Sequence, residues 1–285
     1  MKKLILVLIG FYIFGCASTA KVSEKSNSEF SEPSPQKEVV VEPKVASVPE
    51  GVPDEKIVPV SIPGSMYASL NDSIKNQNDD LIQKMSMEIL TQNSKDLKAL
   101  NALAVVYYKK GRLEAAQFLL TKGIAAHATS SELHSNLGLV YLARNERREA
   151  TKAFRKALEL NPTDAIAGAN LGAIYSQEKD YIKAALSLEV PIKKGTKDPK
   201  VLNNYAIALS ATGRAKEGAE FYEKVLKDNP SHREAMLNYA ISLIENFQKN
   251  KEGLDLLNRL KFVGAPQDAR ETIKNLENKA KAGLK

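Results

Sequence analysis

Few residues in this chain are equipped for chemistry. Cys16 is the only thiol among 285 residues, and His127, His134 and His232 are the only imidazoles. A hydroxyl or thiol nucleophile needs a base within hydrogen-bond reach, and a zinc site needs several His or Cys ligands at short, regular spacing. No histidine here has a second His or Cys at such a spacing, and no glycine-rich phosphate loop is present. Glu149, Glu159 and Glu217 fall on charged helix faces, where carboxylates are ordinarily solvated. These patterns predict no catalytic site, no bound metal and no diffusible cofactor.

What Cys16 does is set by what precedes it. Lys2 and Lys3 are followed by an almost unbroken apolar run from Leu4 to Phe14, then by the small residue Gly15. A charged start, an apolar stretch of this length and a small residue before the cut mark a secretory leader, and the stretch is short for a spanning helix. Ile13-Phe14-Gly15-Cys16 resembles the lipobox of bacterial lipoproteins, with Phe14 where Ala or Ser is usual. The resemblance implies a leader at 1–15, cleavage before Cys16 and covalent lipid on that residue. Several acyl chains at roughly 0.8 kcal/mol per buried methylene would hold the chain on a membrane. Ala17 after the cysteine implies, by the same resemblance, the outer membrane facing the periplasm.

Residues 16–62 read as a disordered tether. Seven of the chain's 12 prolines lie between Pro33 and Pro63, and the segment has no apolar face to bury. At about 3.1 Å per residue it would reach on the order of 140 Å when fully extended. The cluster Val39 to Val41 reads either as plain spacer or as a strand able to pair with a partner's sheet edge.

Beyond the tether the sequence repeats every 34 residues. Tyr107, Tyr141, Tyr175, Leu209 and Leu243 form one column, Leu103, Leu137, Leu171, Tyr205 and Tyr239 a second, and Ala104, Gly138, Gly172, Ala206 and Ala240 a third. A fixed period of this length signals a solenoid. The copy at 131–164 carries Leu137-Gly138, Tyr141, Ala150, Phe154, Ala157 and Pro162, and resembles the tetratricopeptide repeat, with His134 where Trp is typical. The fold expected is all-α: a solenoid of antiparallel helix pairs at 97–130, 131–164, 165–198, 199–232 and 233–267. A degenerate first repeat is expected at 63–96 and a capping helix and tail at 268–285. Pro191 should kink or shorten its helix, and Asn246 to Asn250 should form a lengthened turn. Ala269, Ile273, Leu276 and Ala280 should face the last repeat, with Arg270, Glu271, Lys274 and Lys279 facing water.

The resemblance also places a binding groove. In such arrays the first helix of each repeat lines the inner face, at its second, fifth, ninth and twelfth positions. Here those positions give Asn101, Val105 and Tyr108; Ser135, Leu139 and Leu142; Ala169 and Ala173; Asn203 and Ile207; and Leu237, Ile241 and Ile244. The groove is apolar at its centre and lacks the Lys and Asn pairs with which chaperone-binding relatives clamp a carboxylate. An amphipathic helix or extended apolar segment of a protein partner suits it. Packing against the tether, the capping helix or a second copy of the chain is the competing reading.

The formal charge of +7 is modest for this length, and the basic run Arg144, Arg147, Arg148, Lys152, Arg155 and Lys156 is interrupted by Glu146 and Glu149. No nucleic-acid partner is expected. The expected function is a membrane-anchored protein–protein interaction scaffold, by resemblance an assembly factor for an envelope machine such as a pilus, secretin or motility complex. The alternative is an adaptor recruiting cell-wall hydrolases or outer-membrane assembly components.

Overall fold

A computed structural model describes residues 62–284. The leader at 1–15, the lipidation site Cys16 and all of the 16–62 tether except Ile62 lie outside the described residues. The described chain is helical throughout, with no strand among its elements. In order it forms α1 (Gly64–Lys75), α2 (Asp79–Gln92), α3 (Leu97–Lys109), α4 (Leu113–Ala126), α5 (Ser131–Ala143), α6 (Arg147–Leu160) and α7 (Ala165–Gln177). There follow α8 (Tyr181–Lys193), α9 (Pro199–Ala211), α10 (Ala215–Asp228), α11 (Arg233–Glu245), α12 (Asn250–Val263) and α13 (Arg270–Ala282), the last preceded by a short 3-10 turn.

Each pair closes through the same device. Gln77, Gly111, Asn145, Lys179 and Gly213 adopt positive φ of 53 to 88°, spaced every 34 residues, and Gln248 follows after 35. At each of the first five, the next residue donates its N–H back five places, as Arg112 does to the Tyr107 carbonyl at 2.8 Å and Glu146 to the Tyr141 carbonyl at 2.8 Å. This left-handed stop satisfies carbonyls that the helix end would otherwise orphan. Asn78 makes the same bond to Ser73 at 3.0 Å, so α1 and α2 are a full repeat despite their divergent sequence. The step of 35 is the lengthened turn at Asn246, where Lys249 donates to Leu243 at 2.9 Å. Entry to the next pair is capped in phase: Asp96 and Asp164 accept the N–H groups of Ala99 and Ala167 at 2.8 and 3.0 Å.

Packing within a pair is a match of small against large. A Cβ on Gly138 would stand 2.6 Å from the Phe154 ring, and one on Gly172 would stand 2.4 Å from Leu188. The glycines let the paired backbones approach while Phe154 and Leu188 fill the gap, both fully buried. The core is accordingly a series of clusters strung along the array, each shared by neighbouring repeats. Beside α11 and α12 sits α13, its Ile273, Leu276 and Ala280 buried with Leu256, Leu257 and Leu260, and its Arg270, Glu271, Lys274 and Lys279 exposed. It closes the array as a cap.

Pro191 behaves differently from a simple breaker. The helix α8 runs unbroken through it and ends at 13 residues, one fewer than α4, α6 and α10. Proline lacks the N–H that the Ser187 carbonyl would have used. That carbonyl lies against Gly168, where a Cβ would meet it at 2.8 Å and Pro191 Cδ at 3.1 Å. Gly168 stands where the other complete repeats carry Leu100, His134, Leu202 and Met236, so the absent side chain makes room for the ring.

Candidate functional site

The first helices of successive pairs stand side by side, α3 against α5, α5 against α7, α7 against α9 and α9 against α11. They form the face on which the groove was expected. Its columns have different fates.

The twelfth-position column turns inward. A Cβ on Gly218 would stand 2.6 Å from Ser210 Oγ, and one on Gly253 would stand 2.5 Å from Ile244. These residues therefore pack against the second helix of their own pair. Ile244 is buried, and Tyr108 and Leu142 are half-buried against the clusters containing Ala116 and Ala150. Ile244 is a core position, which corrects its placement in the groove.

The fifth-position column is used to join repeats. The Asn101 amide donates to Glu132 at 2.6 Å, and its oxygen accepts from Asn136 at 2.7 Å. Asn238 donates to Asn203 at 3.3 Å in the same register. Tyr67 and Ser135 reach instead to the capping aspartates of the following pair, donating to Asp96 at 2.5 Å and Asp164 at 3.4 Å. The Asp96 carboxylate holds the Tyr67 phenol protonated, raising its pKa to about 12. Asn101, Ser135 and Asn203 are buried and occupied by these bonds, and Ala169 is half-buried.

The ninth-position column divides the face in two. Val105, Leu139 and Ala173 remain partly accessible. Ile207 and Ile241 are buried, packed with Leu237, Ile244 and the α13 residues Ile273 and Leu276 in one cluster. Asn203, Ile207, Leu237, Ile241 and Ile244 thus serve to bind repeats together, and their assignment to an open groove is corrected. What remains accessible is the face built by α1, α3, α5 and α7.

Two recesses lie there. One of about 440 Å³ is lined by Ile74, Ile82, Leu97, Ala102, Val105 and Val106, with Lys98, Asn101, Lys109 and Glu132 at its edges. The second, of about 150 Å³, is lined by Ala104, Val105, Tyr108, Leu120, Leu139 and Val140, with Lys109 and Asn136. They share Val105 and Lys109. A 150 Å³ apolar cavity is large enough for one benzene-sized group, hence for one aliphatic or aromatic side chain. The larger is within the range of pockets that hold small molecules or peptide segments. Lys109 is fixed by Asp79 at 2.8 Å and Lys110 by Asp80 at 3.0 Å, while Lys98 makes no ion pair among the described residues. Apolar walls with one unpaired cation at the rim can bury side chains of a bound segment. Ile74 and Ile82, apolar residues of the divergent first repeat, were not among the expected groove residues; Ile74 stands 34 positions before Tyr108, in the same column one repeat further back.

The histidines are structural in two cases. His127 Nε2 donates to the Lys95 carbonyl at 2.6 Å, and His232 Nδ1 accepts the Ala235 N–H at 3.2 Å as a helix cap. His134 is half-buried on α5. Among the described residues no group of His, Cys, Asp or Glu is placed to hold a metal. The basic run is a solvated surface, with Arg144 bridging Glu114 and Glu146, and Lys152 and Lys156 paired to Glu149 and Glu159 one turn away.

Residues 131–164 match the family model for the tetratricopeptide repeat. That copy is a tetratricopeptide repeat, and the chain is similar to tetratricopeptide-repeat proteins. Over 177 residues it is 27% identical to the TPR repeat-containing protein YpiA of Bacillus subtilis, covering 62% of this chain and 42% of that one. Over 125 residues it is 28% identical to the type IV pilus assembly protein PilF of Pseudomonas aeruginosa, covering 39% of this chain and 48% of PilF. The matched stretches thus span less than half the length of both curated relatives. Among solved structures, YrrB, described as a TPR protein with an unusual peptide-binding site, superposes with a TM-score of 0.59 at 18% identity. That match covers 68% of this chain and 97% of YrrB and establishes the shared fold. The tetratricopeptide-repeat fold is that of a protein–protein interaction scaffold.

Proposed function

We propose that this protein is a lipid-tethered scaffold of the bacterial envelope that captures an apolar segment of another protein in the groove of its N-terminal repeats and catalyses no reaction itself. The observation that carries this reading is the pair of adjoining recesses sharing Val105 and Lys109, apolar within and lightly charged at the rim. An extended or helical segment laid across α3 and α5 would place one side chain in the smaller recess and further apolar groups in the larger.

The likeness to PilF favours a role in assembling a pilus, secretin or motility complex over other envelope processes. Lipid on Cys16 would hold the scaffold at the outer membrane, facing the periplasm, and the tether would let it sample partners over a wide volume. Two substitutions test the groove. Leu139→Lys and Val105→Asp alter partly accessible side chains and should lower capture of the in-cell partner at least tenfold while the melting temperature stays within a few degrees. Capture unchanged in both would refute binding at this face. Metabolic labelling with radioactive palmitate tests the anchor: label should enter the native chain and vanish in Cys16→Ser, and an unlabelled native chain refutes lipidation.

A further inference from the structure

We propose that the C-terminal end of the array is a docking surface for an anionic phospholipid membrane, with Phe262 as the inserting side chain and Arg270 and Lys274 as contacts for the headgroups. Phe262 is 94% exposed, the most exposed large apolar residue described, and Val263 beside it is also exposed. They end α12 at Gly264, whose φ of +100° turns the chain sharply away. Arg233 donates to the Gly264 carbonyl at 3.5 Å, so the turn that presents the pair is tied to α11.

Adjoining this tip is a recess of about 470 Å³ lined by Lys261, Gly264, Ala265, Arg270, Ile273, Lys274 and Glu277. Glu277 pairs with Lys261. Arg270 and Lys274 make no ion pair among the described residues, and Asp268 and Glu271 do not line the recess. The exposed aromatic ring is poorly solvated by water, and the two unanswered cations beside it add attraction for an anionic headgroup layer. There the ring enters the acyl boundary and the cations meet phosphate. A protein socket for Phe262 is the other use of such a residue, but the absence of acidic partners for Arg270 and Lys274 among the described residues favours phosphate. The inference does not depend on lipid at Cys16, because the surface lies on the last repeat and the cap.

The chain contains no tryptophan, so one introduced residue reports its own surroundings. The full chain carrying Cys16→Ser and Phe262→Trp is mixed with vesicles of phosphatidylglycerol and phosphatidylcholine, or of phosphatidylcholine alone. A second chain with Cys16→Ser and Phe118→Trp, an exposed site on α4, shows what general adhesion through the leader would do. In the Phe262→Trp chain, indole emission should shift to the blue and resist acrylamide on the anionic vesicles only, while emission from the Phe118→Trp chain stays unshifted. Adding Arg270→Gln and Lys274→Gln should weaken partitioning roughly 30-fold, from about fivefold per cation near an anionic surface. No shift at position 262, a shift of equal size at 118, or an equal shift on phosphatidylcholine alone would each overturn the inference. The first of these would leave a protein partner as the role of Phe262.

Discussion

Four of the six left-handed stops are not glycine: Gln77, Asn145, Lys179 and Gln248 hold φ of 53 to 63°. A side chain in that region is strained, by about 1 kcal/mol, whereas glycine carries no such penalty. Lys179→Gly should therefore stabilise the array by about 1 kcal/mol in urea unfolding, and a neutral or destabilising change would show the stop is not set by backbone geometry. At Tyr67 the bond to Asp96 raises the phenol from 10.0 to about 12. A raised pKa on an acid means the protonated form is the one the fold favours, so this contribution is complete below pH 10 and is lost as pH climbs towards 12. Thermal melts at about pH 9 and pH 11.5, on either side of the unfolded phenol's titration, should show a smaller loss for Tyr67→Phe than for the native chain; equal losses would remove the bond's role. Neither effect was legible beforehand. The 34-residue columns identify which residues pack, but Gln77 and Tyr67 stand in register with residues of other types, Gly111 and Asn101, and the bond to Asp96 is visible only once α1 meets the start of α3.

At the scale of the element, the small-against-large packing and the cap were readable from the sequence because each depends on residue size at fixed intervals. Pro191 was half readable. Its missing N–H predicts a damaged helix, and α8 is indeed one residue short, but the absence of a break depends on Gly168, 23 positions away. The groove was less legible still. A position number within a repeat says which way a side chain leaves its helix, and cannot say what the next helix brings against it. Thus Val105 and Leu139 remain open while Ile207 and Ile241, in the same column, are buried with the cap. Ile207→Asp should accordingly act on stability, costing about 4 kcal/mol because the carboxylate would be buried unpaired. Leu139→Lys should leave the melt nearly unchanged. Equal melting temperatures for the two variants would mean Ile207 is accessible after all.

Over the described array as a whole, a cap closes one end and an apolar groove stays open at the other. The cap and the last two repeats form the largest shared core, whereas the first repeats keep apolar walls partly in water. A solenoid is stabilised between neighbours, so the open end can be specialised for a partner without loss of the closed one. The most direct test places a photo-activated cross-linking amino acid at Leu139 and, separately, at Phe118, and irradiates living cells. The groove position should yield one discrete adduct with an envelope protein, absent at Phe118. Equal adducts from both positions, or none from Leu139, would contradict capture by the N-terminal repeats.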